Sequence, residues 1–323
     1  MSKKVLITEP IVEAAITKLR DHFQVTVTER GTYDQEEKLV RDVQHYDALF
    51  SMLSTPVTKK VMEAGKNLQI IANYAVGYDN IAIDSAKKHN IRVANTPDVL
   101  TNSSADGAFA LLLATARKVC EAQNLLRSGY FDGWHPTTFL GGELHGKTLG
   151  IVGMGKIGGA VAKRALGFGM NICYHNRSRV DETKEEQLKA TYISDIEQLA
   201  KKADIISLNC PLTEETYHLI DADLLNTMGA DTLIINTARG AVIDEAALAE
   251  ALQTGRIAGA GLDVYEEEPK IHPELLNAPK TVLLPHIASA THEARTKMGI
   301  LAADAIIAVL KNRDTSKLTN LVC

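Results

Sequence analysis

The sequence feature that most constrains the fold is a glycine motif, LGIVGMGKIG, at residues 149–158. An apolar run of strand length enters Gly153, Gly155 and Gly158, spaced G-x-G-x-x-G, and a stretch of helical character follows. The first glycine permits a sharp turn, the second lets backbone N–H groups approach a pyrophosphate, and the third lets the helix pack closely on the strand. Because a helix N-terminus favours negative charge, the motif predicts a dinucleotide site; a tight turn that binds nothing is the alternative.

Length and charge limit the function classes further. The 323 residues are enough for two domains with substantial cores. With 35 basic and 40 acidic residues, the net charge of −5 argues against nucleic acid as a partner. The polar start predicts no signal peptide, and no apolar run reaches membrane-spanning length. The four scattered cysteines show no metal-ligand spacing, so we expect reduced thiols, no metal site and a cytoplasmic location.

The first hundred residues alternate apolar strands with amphipathic segments. A helix is predicted over 11–20, from the spacing of its apolar residues. The segments between the strands are long enough for crossover helices, which predicts a parallel, doubly wound sheet. The strand candidates are 4–8, 23–27, 48–53, 68–72 and 91–94.

A break at residues 95–98 separates this unit from the rest of the chain. A long apolar helix over 101–117 and an irregular, glycine-rich arm over 128–143 precede the glycine motif. After the motif, helices are predicted over 196–202 and 245–254, and strands recur in a second doubly wound sheet. The later strand candidates are 171–175, 204–208, 232–236, 259–264 and 281–284.

The final helix, predicted over 291–311, has no place in the middle of the second sheet. The simplest topology returns it to the first domain. We therefore predict an α/β protein in which a Rossmann nucleotide-binding domain, residues 99–289, is inserted into a flavodoxin-like substrate domain formed by residues 1–98 and 290–323.

The turn after the second strand of the Rossmann domain bears on the choice of cofactor. NAD-binding proteins usually place an acidic side chain there, but this chain has Asn176, Arg177, Ser178 and Arg179, with no acid before Asp181. The polar side chains can donate hydrogen bonds to a 2′-phosphate, and the arginines supply charge. The turn therefore favours NADP over NAD, with NAD still possible; a solvated basic turn is the alternative.

Ionisable residues follow three predicted strands of this sheet. Arg239 comes after one strand, Glu268 after the next, and His286 after the last. In an open α/β sheet, ligands bind at the carboxyl ends of the strands. A guanidinium suits a carboxylate, and a histidine beside a carboxylate can exchange a proton with a carbonyl or an alcohol near neutral pH. We therefore expect these residues to lie in one site.

The chain resembles the D-2-hydroxyacid dehydrogenase family, in particular its glyoxylate/hydroxypyruvate reductase branch, which includes 2-ketogluconate reductases. The resemblance extends over essentially the whole length. It rests on the glycine motif and on the segments AVGYDN (75–80), VLT (99–101), CPLT (210–213), NTARG (236–240), Glu268-Pro269 and Pro285-His286.

The resemblance implies catalytic roles by position. Arg239 would bind the substrate carboxylate and polarise the 2-oxo group, His286 would be the acid/base, and Glu268 would orient it and favour its protonated form. Leu53, with the backbone N–H groups of Val76 and Gly77, would contact the substrate. Family members are usually homodimers built through the nucleotide domain and an arm such as 128–143.

The resemblance also implies a set of cofactor contacts. The adenine side would be lined by Cys210, Pro211 and Thr216. Asp263 would face the nicotinamide amide. The implied contacts are Thr101, Gly153, Gly155, Lys156, Ile157, Gly158, Asn176, Arg177, Ser178, Cys210, Pro211, Thr216, Thr237, Ala238, Asp263 and Ser289.

Three functions remain open at this point. The first is NADPH-dependent reduction of small 2-oxo acids such as glyoxylate, hydroxypyruvate or 2-ketogluconate. The second is a dinucleotide-sensing binding protein related to corepressors, which keep the same catalytic residues but carry extra disordered tails. The third is an NAD-dependent D-2-hydroxyacid dehydrogenase of another substrate. The compact chain and the turn at 176–179 favour the first.

Overall fold

A computed structural model describes residues 2–316 and 318–323. The chain divides into two compact units, Met1–Leu100 with Ala290–Cys323 and Thr101–Ser289. Each unit is built around one parallel β-sheet.

The first unit alternates strands with helices. Its strands are β1 (Lys4–Ile7), β2 (Gln24–Val27), β3 (Ala48–Ser51), β4 (Ile70–Asn73) and β5 (Arg92–Ala94), and the intervening helices are α1 (Glu13–Arg20), α2 (Glu36–Val43), α3 (Lys59–Ala64) and α4 (Ile83–Lys88). The strand order β2-β1-β3-β4-β5 is that of flavodoxin-like sheets. The inner strands β3 and β4 are buried along their whole length, as parallel strands covered on both faces must be.

The second unit begins with two helices and continues with the glycine motif. Its helices are α5 (Thr101–Ala116), α6 (Val119–Arg127), α7 (Lys156–Gly167), α8 (Glu182–Leu188), α9 (Ile196–Lys202), α10 (Ala222–Thr227), α11 (Glu245–Gln253) and α12 (Pro273–Leu276). Its strands are β6 (Thr148–Val152), β7 (Asn171–His175), β8 (Ala190–Tyr192), β9 (Ile205–Leu208), β10 (Leu233–Asn236), β11 (Gly259–Leu262) and β12 (Thr281–Leu283). The strand order is β12-β11-β10-β9-β6-β7-β8. The chain adds β7 and β8 on one side of β6 and then β9 to β12 on the other, which is the Rossmann arrangement.

The last helix, α13 (His292–Leu310), packs in the first unit. Gly299 allows its close approach there, because a Cβ at this position would lie 2.8 Å from Val12 Cγ2 and 2.9 Å from the Ala15 Cβ. The Tyr74 hydroxyl donates to the Arg295 carbonyl at 2.6 Å and ties the start of the helix to the end of β4.

The predicted fold class, two doubly wound parallel sheets, is confirmed. The sequence analysis missed the edge strand β8, which has three residues and no apolar run, and the helix α6, of which no residue is buried. The predicted strand at 259–264 ends two residues early, at Leu262. Within the described part of the chain, no helix is long and apolar enough to cross a membrane.

A buried acid fixes the edge of the second sheet next to β7. The Glu185 side chain on α8 accepts from the Tyr174 hydroxyl and from both Nε and Nη2 of Arg179, at 2.8 and 2.6 Å. The hydrogen bonds from Arg179 and then from Tyr174 lower the pKa of Glu185 to about 2. Burial and the same carboxylate raise the pKa of Tyr174 to about 12.

This acid predicts a pH-dependent contribution to stability. Because its pKa is lower in the folded protein than the ordinary value of 4.5, Glu185 stabilises the fold above pH 4.5 and loses that effect as the pH falls toward 2. We expect Glu185→Gln to lower the free energy of unfolding at pH 7, and the difference from the wild type to shrink between pH 4.5 and pH 2. Urea denaturation at several pH values measures this, with Glu197→Gln, in an exposed pair with Lys201, as the control. A difference independent of pH would contradict the ion pair.

Candidate active site

The glycine motif forms the turn between β6 and α7. Gly153 has φ +94°, and a Cβ there would lie 2.6 Å from the backbone nitrogen of Cys210. A Cβ at Gly158 would lie 2.1 Å from the Gly153 carbonyl oxygen. A Cβ at Gly155 would meet no atom within 4 Å. Two of the glycines are therefore required by close backbone packing, and the third borders open space.

The N-terminus of α7 fits a diphosphate. Its N-cap, Gly155, has no side chain to bind the first N–H groups of this twelve-residue helix. Lys156, Ile157 and Gly158 form the first turn, beside the open space at Gly155. The N–H groups of a helix's first turn and the helix dipole favour an anion there. The motif thus offers the cradle that a dinucleotide needs.

Two side chains outside the motif hold the glycine turn. The Met154 N–H donates to Asn176 Oδ1 at 2.7 Å, so this predicted cofactor residue binds the turn itself. Lys184 on α8 donates from Nζ to the carbonyls of Met154 and Gly155, at 2.9 and 3.2 Å. The sequence analysis missed Lys184, because only the packing of α8 brings it to the motif. Its ammonium places a positive charge next to the predicted diphosphate site.

The turn after β7 is polar and basic. Arg177 and Ser178 are exposed, as a 2′-phosphate site requires. Arg179 was expected to supply charge to that phosphate, but it forms the two-bonded pair with Glu185 described above. Asp181, the first acid after the strand, caps α8 by accepting from the Lys184 N–H at 2.9 Å. Arg177 is therefore the arginine of this turn that best fits the phosphate.

The loop after β9 carries the predicted adenine-side residues. Thr216 closes it by donating from Oγ1 to the Pro211 carbonyl at 2.7 Å and accepting from the Thr213 N–H at 2.8 Å. Cys210 is buried against the glycine turn, and burial raises the pKa of its thiol to about 11. Hydrogen bonds within the loop and, to a lesser extent, the charge of Arg177 lower the pKa of Glu215. Arg177 and this loop therefore share one side of the nucleotide-binding unit.

The loop after β10 is built around the buried Asn236. Its amide donates from Nδ2 to the Arg239 carbonyl and accepts at Oδ1 from the Ala238 N–H, both at 2.9 Å. Arg239 is half-buried, and its Nη1 donates to the Ala238 carbonyl at 2.8 Å. Thr237 Oγ1 is buried and has no hydrogen-bond partner within the described residues, which suits a site completed by a ligand. The sequence analysis did not assign a role to Asn236.

The Arg239 loop lies directly against the loop after β11. A Cβ at Gly240 would lie 1.8 Å from the Tyr265 carbonyl carbon and 2.2 Å from the Glu266 nitrogen, so only glycine fits. Burial opposes ionisation of Glu268, but the hydrogen bond and charge of His286, with a smaller contribution from Arg239, lower its pKa overall. Arg239 and His286 therefore both lie close enough to Glu268 to act on its carboxylate.

His286 and Glu268 are in direct contact. Nδ1 of His286 lies 2.8 Å from Glu268 Oε2, and Oε1 of the same carboxylate accepts from the Tyr265 N–H at 3.1 Å. The His286 side chain keeps 32% of its surface exposed. Because one ring nitrogen faces the carboxylate, the other, Nε2, is the one left to meet a substrate.

Asp263 fixes the backbone after His286. Its carboxylate is 1% exposed and accepts from the N–H groups of Ile287 and Ala288, both at 2.7 Å. These bonds hold His286 at φ +56°, a conformation that side chains other than glycine rarely adopt. Burial raises the pKa of Asp263 in spite of the two hydrogen bonds. The predicted contact with a nicotinamide amide stays a prediction; the observed contacts orient the histidine.

The other predicted residues are placed as follows. In the first unit, Leu53 follows β3 and is half-buried, and Val76 and Gly77 follow β4, with their carbonyl oxygens bound by Asn95 Nδ2 and Asn73 Nδ2. In the second unit, Thr101 begins α5, and Ser289 ends the segment that carries His286. Asp106 on α5 accepts from Arg164 Nε at 2.7 Å.

Known proteins of one family are similar to this chain. A family model described as the D-isomer specific 2-hydroxyacid dehydrogenase, NAD binding domain, matches residues 109–288. A glyoxylate reductase of Thermococcus litoralis is 48% identical over 324 residues, covering 99% of this chain and 97% of that protein.

Solved structures are similar over the same length. The TT0316 protein of Thermus thermophilus superposes with a TM-score of 0.91 at 40% identity, covering 99% of this chain and all of that one. An NADPH-dependent glyoxylate/hydroxypyruvate reductase of Sinorhizobium meliloti, solved with NADP and malonate, gives 0.88 at 34% identity, covering 100% of this chain and 97% of that one.

Proposed function

The chain belongs to the D-2-hydroxyacid dehydrogenases, and on this premise we propose that it reduces glyoxylate and hydroxypyruvate to D-2-hydroxy acids with a preference for NADPH. It is an NAD(P)-dependent oxidoreductase that acts on 2-oxo acids. The observation that carries the finer proposal is the contact of 2.8 Å between His286 Nδ1 and Glu268 Oε2, beside the Arg239 loop.

In the proposed reaction, His286 donates the proton. Glu268 accepts from Nδ1 and favours the imidazolium form, so that Nε2–H can protonate the carbonyl oxygen. Asp263 holds the backbone that sets the direction of the ring. A reduced nicotinamide cofactor would supply the hydride to the carbonyl carbon.

Arg239 has two proposed tasks. Its planar guanidinium binds the substrate carboxylate and polarises the 2-oxo group. The contacts of Asn236 with Ala238 and Arg239 and the packing of Gly240 fix the loop before the substrate arrives. Such a fixed loop lowers the reorganisation needed in the transition state.

The preference for NADPH is supported by the turn after β7. Asp181 caps a helix, Arg177 and Ser178 are exposed, and Lys184 adds charge at the glycine turn. A 2′-phosphate finds cations and hydrogen-bond donors there. The similar reductase of S. meliloti is described as NADPH-dependent.

We also propose a homodimer built through the second unit. No residue of α6 is buried, although Val119 and Leu126 are apolar. The segment that follows exposes Tyr130, Phe131 and Trp134, the last with 83% of its surface accessible. So many exposed apolar side chains within one stretch of chain suit a protein interface. The cytoplasmic location stays a prediction from the sequence.

A substrate and cofactor panel tests the activity. We expect kcat/KM with NADPH to exceed that with NADH, and glyoxylate and hydroxypyruvate to be better substrates than 2-ketogluconate, whose longer tail must also be accommodated. Steady-state rates for the three acids with each cofactor measure both preferences. If none of the three is reduced with either cofactor, the proposed substrate class is wrong.

The cofactor preference should depend on Arg177. Arg177→Asp removes a cation and adds a repelling carboxylate, so the preference for NADPH should fall at least about tenfold, while catalysis with NADH changes little. Arg20→Asp, an exposed arginine of the first unit, is the charge-matched control. Equal losses with both cofactors would contradict a contact with the 2′-phosphate.

The pH dependence of reduction tests the Glu268–His286 pair. Glu268→Gln deprives the imidazolium of its anionic partner, so the alkaline limb of kcat/KM should move to lower pH while NADPH affinity is retained. His286→Ala should lower the rate of reduction by about 10²–10⁴-fold.

In the wild type, the lowered pKa of Glu268 has its own consequence. The carboxylate stays ionised below its ordinary pKa of 4.5, so any loss of activity caused by its protonation falls below that value. The control is Glu267→Gln, a neighbouring acid that is exposed. An alkaline limb that does not move in Glu268→Gln would separate Glu268 from the proton transfer.

A further inference from the structure

The loop at residues 74–78 follows β4 in the first unit. Asn73 and Asn95 donate to its carbonyls, and Asn80 donates to the loop that follows β3. This loop contains Val76 and Gly77, whose N–H groups are the proposed ligands of the substrate carboxylate. The contacts around the loop orient those N–H groups, a role that rests on the proposed function.

Three successive carbonyls of this loop accept hydrogen bonds. The Ala75 carbonyl accepts from the Thr96 N–H at 2.8 Å, and the Val76 carbonyl accepts from Asn95 Nδ2 at 2.8 Å. The Gly77 carbonyl accepts from Asn73 Nδ2 at 2.9 Å. The donors lie at the carboxyl ends of two strands: Asn73 is the last residue of β4, and Asn95 and Thr96 follow β5.

The peptide geometry converts these contacts into an orientation. In a planar trans peptide, the N–H points opposite to the C=O of the same unit. Binding the Ala75 carbonyl therefore directs the Val76 N–H away from Thr96, and binding the Val76 carbonyl directs the Gly77 N–H away from Asn95. Two successive N–H groups presented in this way can bind one carboxylate.

Asn73 and Asn80 form the inner part of this support. Asn73 Nδ2 donates to Asn80 Oδ1 at 3.0 Å, and the buried Ser51 hydroxyl donates to Asn73 Oδ1 at 2.9 Å. Asn80 Nδ2 donates to the carbonyls of Met52 and Thr55, both at 3.0 Å. The pair thereby joins the loop that carries Gly77 to the loop that carries Leu53.

The side-chain contacts leave little freedom. Asn73 is fully buried and uses both amide hydrogens and its carbonyl oxygen, so a displacement would leave polar atoms without partners. The backbone adds to this: the Val57 N–H donates to the Asn80 carbonyl at 2.9 Å, and the Ala82 N–H donates to Val57 at 3.0 Å. The two loops therefore hold a fixed relation to each other.

We propose that Asn95, Asn73 and Asn80 are positioning residues for the substrate carboxylate. Asn95 directs the Gly77 N–H toward it, and Asn73 and Asn80 hold the loop that presents this N–H beside that of Val76. They do not touch the reacting atoms. Asn95 orients the peptide of Gly77, Asn73 holds the following carbonyl, and Asn80 fixes the Leu53 loop beside it. Substituting them should therefore weaken the binding of the 2-oxo acid and leave the binding of the nucleotide unchanged.

Kinetics of Asn95→Ala test the proposal. We expect the KM for glyoxylate to rise at least about tenfold, because the charge-assisted hydrogen bond from the Gly77 N–H loses its alignment. Inhibition by oxalate, a planar dicarboxylate, should weaken by a similar factor. The saturating kcat should stay within about twofold, and the dissociation constant of NADPH, from fluorescence titration, should be unchanged. Asn80→Ala should move the same two quantities in the same direction.

Ser51→Ala is the matched control. It removes a buried hydrogen bond from the same network but leaves every contact with the loop carbonyls in place. We expect a lower thermal midpoint with an unchanged KM for glyoxylate. If Ser51→Ala raises that KM as much as Asn95→Ala does, or if Asn95→Ala changes neither KM nor oxalate inhibition, the positioning role is overturned.

The design separates this inference from the function on which it rests. A wild-type protein that reduces glyoxylate, combined with an Asn95→Ala variant of unchanged KM, overturns the positioning role alone. A wild-type protein that reduces none of the 2-oxo acids overturns the proposed substrate, and the inference with it.

Discussion

The constraint on which the structure depends is the hydrogen bonding of loops at the carboxyl ends of parallel strands. These loops have no ladder partner, and unpaired buried peptide groups are costly. In both units, side chains at the strand ends bind them. Asn73 and Asn95 bind carbonyls of the loop at 74–78, Asn236 binds both sides of the Arg239 loop, and Asp263 binds two N–H groups after His286. The loops proposed to hold substrate are thus fixed by buried amides and carboxylates.

The same constraint explains how charge is distributed in the second unit. Several ionisable groups bind backbone or each other: Asp263 is bound by backbone, Asp181 caps a helix, and Arg179 pairs with Glu185. Arg177 lies exposed in its turn, and the nearest acid in sequence, Asp181, caps α8. His286 and Glu268 are partly accessible and share a contact that suits proton transfer. The supporting groups and the proposed reacting groups are therefore different side chains, although they are neighbours in sequence.

Some predictions depended on periodicity and others on packing that no local pattern records. The sheets were predicted because buried parallel strands read as apolar runs, whereas β8 has three partly exposed residues and gives no such signal. The basic turn at 176–179 was evident, but the sequence could not show that Arg179 is bound by Glu185, six residues away on α8. Lys184 was missed for the same reason, since α8 must pack before its ammonium reaches the glycine turn.

The sequence by itself determined the class of this protein: a strand entering G-x-G-x-x-G specifies the turn, and ionisable residues after successive strands specify the edge where chemistry occurs. It also determined the fold class, because two runs of alternating strands and helices allow few parallel topologies. Only the tertiary structure decided which polar side chains bind the backbone of these loops and which stay accessible. Asp263 was predicted to face the nicotinamide, whereas Asn236 and Asn73 had no predicted role; all three are buried and bind backbone groups of these loops. Such a choice depends on which peptide groups the fold leaves unpaired, and that is settled only when the strands and loops have packed.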